Sequence, residues 1–286
     1  MTLREPPPAV DPMLPADEFA GKVVLVTGGG TGVGLAMARG FALCGARIAI
    51  VSRKEETLAE GAAELRGLGA EVFTAQCDVR QRNQVTEMFT RIEEAAGPVD
   101  FLLNNAGSNF PALAEDLSVN AWRAISQIAL DGTFFCSQEF HARRCRVGRA
   151  GAIVNNLASY AWTGFPGDVH SAAAKAGTLN LTLSLATEWA RDQIRVNSIV
   201  VGTYPHSRVP NNDPREREGR RGRTVPAGRA LRAQEIGWAA AFLCSRFGRY
   251  ITGLNLVVDG GDWLRRDLLK PPFIPPRERK DLWFGQ

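Results

Sequence analysis

Val23-Val24-Leu25-Val26-Thr27-Gly28-Gly29-Gly30-Thr31-Gly32-Val33-Gly34 decides the fold of this 286-residue chain. Four aliphatic residues and a threonine run directly into a glycine-rich turn, and the following segment, 35–43, has helical character. The stretch therefore reads as strand, glycine turn, helix. In that setting Gly28 permits a tight turn, Gly32 lets the main chain approach a pyrophosphate, and Gly34 lets the helix pack closely on the sheet. Free N–H groups at the helix start attract the anion. Thr31 and Val33 complete the predicted phosphate loop.

Outward from that turn, short apolar runs alternate with longer amphipathic segments, the rhythm of strand and crossover helix. Seven candidate strands fall at 23–27, 47–51, 71–76, 101–104, 152–157, 195–200 and 255–258. They predict an α/β chain with one doubly wound, Rossmann-like domain over 19–262 on a seven-stranded parallel sheet. An N-terminal arm (1–18) precedes it and a Pro-rich tail (263–286) follows. A polar insertion at 204–229 interrupts the rhythm.

Composition narrows the class. With 45% hydrophobic and 22% charged residues the chain reads as soluble and globular, and its net charge of +4 is too slight to imply a nucleic-acid partner. Five scattered cysteines without CxxC spacing argue against a disulfide framework and a zinc knuckle, which suits a reducing, cytoplasmic setting. The first twenty residues carry four acids and five prolines, unlike a signal or transit peptide. No run of eighteen apolar residues suggests a membrane span.

Cofactor choice is read about twenty residues after the glycine turn. An NAD-specific protein would carry a carboxylate there, whereas this chain has Ser52 and Arg53. Arg53 can pair with a 2′-phosphate through a bidentate fork, so NADP(H) is expected. Ser52 and Glu55 also have the spacing of a capping box, with Ser52 as N-cap. Asp78-Val79 and Asn104-Asn105-Ala106-Gly107 follow the third and fourth strands, at carboxyl ends where open α/β sheets bind ligands.

In this order, TGxxxGxG, Asp78-Val79 and NNAG resemble the short-chain dehydrogenase/reductase family over roughly 19–261. The resemblance implies that Asp78 addresses the adenine and that Asn105, Ala106 and Gly107 line the cofactor. The family's usual tyrosine four residues before Lys175 is Ser171 here, and Ala158 falls where its serine is expected. A phenol stands instead at Tyr160, fifteen residues before the lysine. That displacement resembles the 2,4-dienoyl-CoA reductase branch, as do Pro12-Met13-Leu14-Pro15, the stretch NNAGSNF at 104–110, Ser118-Val119-Asn120-Ala121-Trp122 and AAFLCS at 240–245.

The resemblance implies an NADPH-dependent reductase of a conjugated enoyl thioester of coenzyme A. Lys175 would hold the nicotinamide ribose and lower the pKa of nearby acids, Tyr160 would donate the proton or hydrogen bond, and Ser171 would assist. Asp131 departs from the branch, which carries Asn there. It is either a protonated acid in a dry site or a turn residue before Gly132. Gly202 keeps the glycine of the turn after the sixth strand and loses the proline.

Eight arginines between 208 and 232 lie where the family places a substrate lid, with at most two expected to contact coenzyme A phosphates. After Lys175, stripes Leu179/Leu183/Ala186/Ala190 and Leu181/Leu185/Trp189 occupy opposite helix faces. One can face the sheet and the other calls for pairing across a two-fold axis, and resemblance to a family of dimers and tetramers implies a homotetramer. The tail after residue 262 either packs on a neighbour or closes the substrate pocket. Two other readings remain open: a ketone/alcohol or hydroxyacyl dehydrogenase using Tyr160 or Ser159, and a non-catalytic NADP-binding module.

Overall fold

Aliphatic runs buried on both faces are what a fully covered parallel sheet requires. A computed structural model, which describes residues 3–202, 204 and 225–264, has that sheet. Its strands are β1 (Val23–Thr27), β2 (Arg47–Ser52), β3 (Val72–Gln76), β4 (Val99–Asn104), β5 (Gly151–Leu157), β6 (Ile194–Val201) and β7 (Asn255–Val258). They lie in the order β3-β2-β1-β4-β5-β6-β7, every pair parallel. All five residues of β1 are buried. The order reverses between β1 and β4, so their carboxyl ends open a crevice.

Helices cover both faces. α1 (Gly32–Ala42), α2 (Glu55–Gly67) and α8 (Ala233–Cys244) pack on one side with Met37, Phe41, Leu65 and Ile236. α3 (Arg82–Ala96), α5 (Gly132–Arg146) and α7 (Val169–Glu188) pack on the other with Phe89, Phe140 and Leu185. The first helical turn after β5 is α6 (Tyr160–Thr163), and α4 (Val119–Ser126) reaches α5 through a π-helical turn, Gln127–Asp131.

The N-terminal arm is tied to the body where the sequence allows it. Phe19 is buried with its ring 4.8 Å from Phe41 and 5.5 Å from Phe101. Glu5 pairs with Arg232 at 2.8 Å. On α7, Leu181 and Leu185 pack on the core with Trp189 at the C-terminal cap, Ala186 of the other stripe joins them, and Leu183 stays 42% exposed.

Two local expectations need correction. β2 extends through Ser52, so α2 starts at Glu55 with Lys54 as its N-cap, and Ser52 accepts a hydrogen bond from the Lys54 amide at 3.3 Å. Ser52 and Glu55 therefore form no capping box. Asp131 is no turn residue either: it closes the π turn and leads straight into α5.

Candidate active site

At the crevice, Gly28 has a φ of +64°, a conformation that a side chain disfavours, and its N–H donates to Val51 across the turn at 2.7 Å. A Cβ on Gly34 would drive into the Gly28 carbonyl and the Asn105 amide, so this glycine allows the loop to close on itself and on β4. Thr31 enters α1 in extended conformation without capping it by its side chain. The first amides of the helix thus keep their capacity for an anion. Around Gly32, at φ +56°, nothing lies within 4 Å of where a Cβ would stand, so the wall is open on that side.

Gly28, Thr31 and Gly32 line a cleft of about 930 Å³ together with Val33, Ser52, Arg53, Asp78, Val79, Asn105, Ala106, Gly107, Ser171 and Lys175. An uncapped helix start, an open glycine wall and a cleft running along three strand ends fit an elongated dinucleotide. Arg80 forks onto the Asp78 carboxylate at 2.9 and 3.0 Å and holds its pKa below the ordinary value. Gly34 sits behind the loop and shapes it, outside the lining. Gly202 is also outside it, with its amide bonded to Val258 and its Cα against Asp259.

A polar lattice that the sequence did not reveal ties the phosphate loop to the lysine. The Thr27 hydroxyl accepts from the amides of Asn105 and Ala106, both at 3.0 Å, and donates to the Leu103 carbonyl. The Asn105 side chain donates to the carbonyls of Thr27 and Gly28 at 3.1 Å and accepts from the Asn156 amide at 2.9 Å. Asn156 in turn offers its main-chain carbonyl to Lys175 Nζ at 2.5 Å. Asn105 is thus a latch for the loop, and Asn156 a link that only its place at the end of β5 could have suggested. Burial lowers the Lys175 pKa to about 8.

Tyr160 starts the turn that leaves β5, and its hydroxyl lies 3.2 Å from Ser171 Oγ on α7. Burial raises the phenol's pKa, the Ser171 hydrogen bond works against this, and the Asp168 charge adds to it. The expected lowering by Lys175 is not found, because the ammonium is turned to the Asn156 carbonyl and desolvation dominates. A neutral phenol remains a hydrogen-bond donor. Tyr160 also borders a second cleft of about 800 Å³, walled by Leu113, Ala161, Trp162, Phe165, Pro166 and Val169. Among the described residues it is the one side chain lining both clefts. At the rim Trp263, the first residue of the tail, meets Trp162 edge to face at 5.3 Å.

Asp131 is not brought to either cleft. Ile128 and Ala129 of the π turn line the dinucleotide side, and Asp131, at the end of that turn, lines neither cleft. The arginines at 208, 215, 217, 220, 221 and 223 lie outside the described residues. Arg229 pairs with Glu235 and Arg232 with Glu5, so both are engaged within the fold. Ser159 sits beside Tyr160 and lines neither cleft.

Comparison with known proteins agrees with this geometry. Residues 28–262 match the family model described as "Enoyl-(Acyl carrier protein) reductase". A "Probable 2,4-dienoyl-CoA reductase [(2E)-enoyl-CoA-producing]" of Bacillus subtilis is 41% identical over 246 residues, 85% of this chain and 97% of that protein. The "Peroxisomal 2,4-dienoyl-CoA reductase [(3E)-enoyl-CoA-producing]" of Arabidopsis thaliana is 34% identical, covering 93% and 91%. Among solved structures, a short chain dehydrogenase from Bacillus anthracis superposes with a TM-score of 0.79 at 42% identity, covering 86% of this chain and 98% of that one. With its seven-stranded parallel sheet, glycine loop and lysine at one crevice, the chain belongs to the short-chain dehydrogenase/reductase family of oxidoreductases, which use a nicotinamide cofactor.

Proposed function

We propose that the chain is an NADPH-dependent reductase of conjugated enoyl thioesters, with 2,4-dienoyl-CoA as its substrate class. The observation that carries this reading is the position of Tyr160, a neutral phenol standing where the dinucleotide cleft meets an apolar one. The relatives named as dienoyl-CoA reductases point the same way.

The bound nicotinamide would supply the hydride. Gly28, Thr31, Gly32 and Val33 would face the pyrophosphate, Ser52 and Arg53 the 2′-phosphate, and Asp78, Val79 and Asn105 to Gly107 the rest of the cofactor. Lys175, charged below a pH of about 8, would hold ribose hydroxyls. The acyl chain would enter the apolar cleft beside Tyr160. Its phenol would donate a hydrogen bond to the developing enolate oxygen and a proton to the product, with Ser171 fixing the hydroxyl. Asp131 and Gly202 receive no role in this scheme.

Assembly as a homotetramer and a cytoplasmic setting belong to the same proposal. The first is supported by exposed Leu183 and Trp122 on α7 and α4, the second by five cysteines that form no disulfide. No helix of the described residues is long and apolar enough to cross a membrane.

The test is NADPH consumption with a 2,4-dienoyl-CoA, with a panel of ketones and with no substrate. Turnover of the dienoyl thioester is expected. Turnover of ketones alone would move the assignment to carbonyl chemistry, and binding without turnover would leave a nucleotide-binding module.

A further inference from the structure

At the amino ends of β5 and β6, opposite the carboxyl ends that open the dinucleotide cleft, three metal-ligating side chains of different kinds come together. His141 and Cys145 are one helical turn apart on the last turns of α5, and Asp192 follows α7 just before β6. The donor atoms all lie within 4.8 Å of one another. His141 Nε2 is 2.8 Å from Asp192 Oδ2 and 3.4 Å from Cys145 Sγ. No other group of three such donors occurs among the described residues.

A proton relay of the Cys-His-Asp type does not explain this arrangement. A relay uses both ring nitrogens, one toward the thiol and one toward the carboxylate. Here thiol and carboxylate address the same Nε2. A cation requires instead one donor atom from each of several side chains within reach of a single ion, and these three lie within 4.8 Å of one another.

The site is also built to hold its shape. The His141 ring stacks on Trp189 at 4.3 Å and 19°, which fixes its orientation. Asp192 is followed by Gln193 at φ +59°, the one non-glycine residue with positive φ among those described, whose carbonyl receives the Gly151 amide at the start of β5. The chain reversal that aims Asp192 at α5 is thereby pinned to the sheet.

We propose that His141, Cys145 and Asp192 form a binding site for one zinc-class divalent ion, with a fourth position left to water. Imidazole and thiolate donors select zinc over magnesium or calcium. In a tetrahedral site with ordinary zinc bond lengths, neighbouring donors stand about 3.4–3.6 Å apart. The sulfur–nitrogen edge already has that length, and the carboxylate needs to withdraw by roughly half an ångström. Thiolate and carboxylate together neutralise a divalent charge, and the carbonyl end of α5 favours a cation. Asp192 and Cys145 are solvent-exposed, so an ion can enter. Bound there, it would staple the end of α5 to the turn after α7, beside the points where β5 and β6 enter the sheet. The site is independent of the proposed reaction.

The test uses the full chain, freed of metal by a chelator and titrated with cobalt(II), then zinc. One cobalt per chain is expected, with a thiolate-to-cobalt charge-transfer band that zinc abolishes and a thermal midpoint that rises with zinc. Cys145→Ser, an exposed and near-isosteric change, should erase the band and the stabilisation. Asp192→Asn and His141→Gln should weaken binding by at least roughly tenfold. Absence of the band, or zinc binding that persists unchanged in Cys145→Ser, would overturn the site and leave an ordinary His141–Asp192 hydrogen bond.

Discussion

The two clefts that meet at Tyr160 are made of different materials. The dinucleotide side is built from main chain held by main chain and by Thr27, Asn105 and Asn156, a lattice in which hydrogen bonds fix each loop to its neighbour. The apolar side, where the acyl chain is proposed to enter, is a wall of side chains on a short helical turn and a Gly/Pro stretch, 160–167, with the Thr163 hydroxyl bonded to nearby carbonyls. A shared cofactor demands a fixed shape, and backbone geometry supplies it at low side-chain cost. In the proposed scheme, substrate choice would rest on side chains that can be exchanged without disturbing the sheet.

Substitutions on the two sides should therefore fail differently. The largest effect is expected at the seam: Tyr160→Phe should lower turnover by roughly 10²- to 10⁴-fold while NADPH affinity, measured by titration calorimetry, stays unchanged. Loss of affinity with intact chemistry would assign Tyr160 to the cofactor side. Next, Gly34→Val should damage the rigid side, with a destabilisation of roughly 1–3 kcal/mol in urea unfolding and loss of binding to both nicotinamide dinucleotides. Arg53→Ala should be narrower, weakening NADPH by roughly 10- to 100-fold and leaving NADH nearly untouched. Equal loss for both cofactors would contradict its pairing with a 2′-phosphate.

The smallest effect concerns pH. The Lys175 pKa is about 8 in the folded chain against 10.5 ordinarily. Between these values the unfolded chain holds a proton that the folded one has released, so stability from this group rises with pH across that window and is least below it. Lys175→Met should thus stabilise the cofactor-free protein at neutral pH, with a gain that shrinks from pH 8 to 10.5. A gain that grows over that range would contradict burial as the cause.

The same contrast governs what could be read in the residue order. β1 and β7 were legible to the residue because Val23–Thr27 and Asn255–Val258 are bounded by glycines or turn residues. The cleft positions of Gly28, Gly32 and Arg53 and the nearness of Tyr160 to Ser171 were legible because motif spacing or family resemblance carries them. The lattice through Asn105 and Asn156 was not, since it joins residues 51 to 78 positions apart by side-chain direction. Ser52 misled because β2 runs one residue longer than expected, through Ser52 itself, which leaves Lys54 as the N-cap of α2. Asp131 misled as a turn residue because the π turn Gln127–Asp131, which no local sequence signal marks, carries the helix through it.

The central claim is conjugate reduction at the seam, and the position of a transferred deuterium tests it most directly. With NADPH labelled at the transferable position and a 2,4-dienoyl-CoA, one deuterium should appear on an acyl-chain carbon, the thioester carbonyl should survive and one carbon–carbon double bond should be lost per cofactor oxidised. Deuterium on a carbinol carbon, or cofactor oxidised only in the presence of ketones, would contradict it.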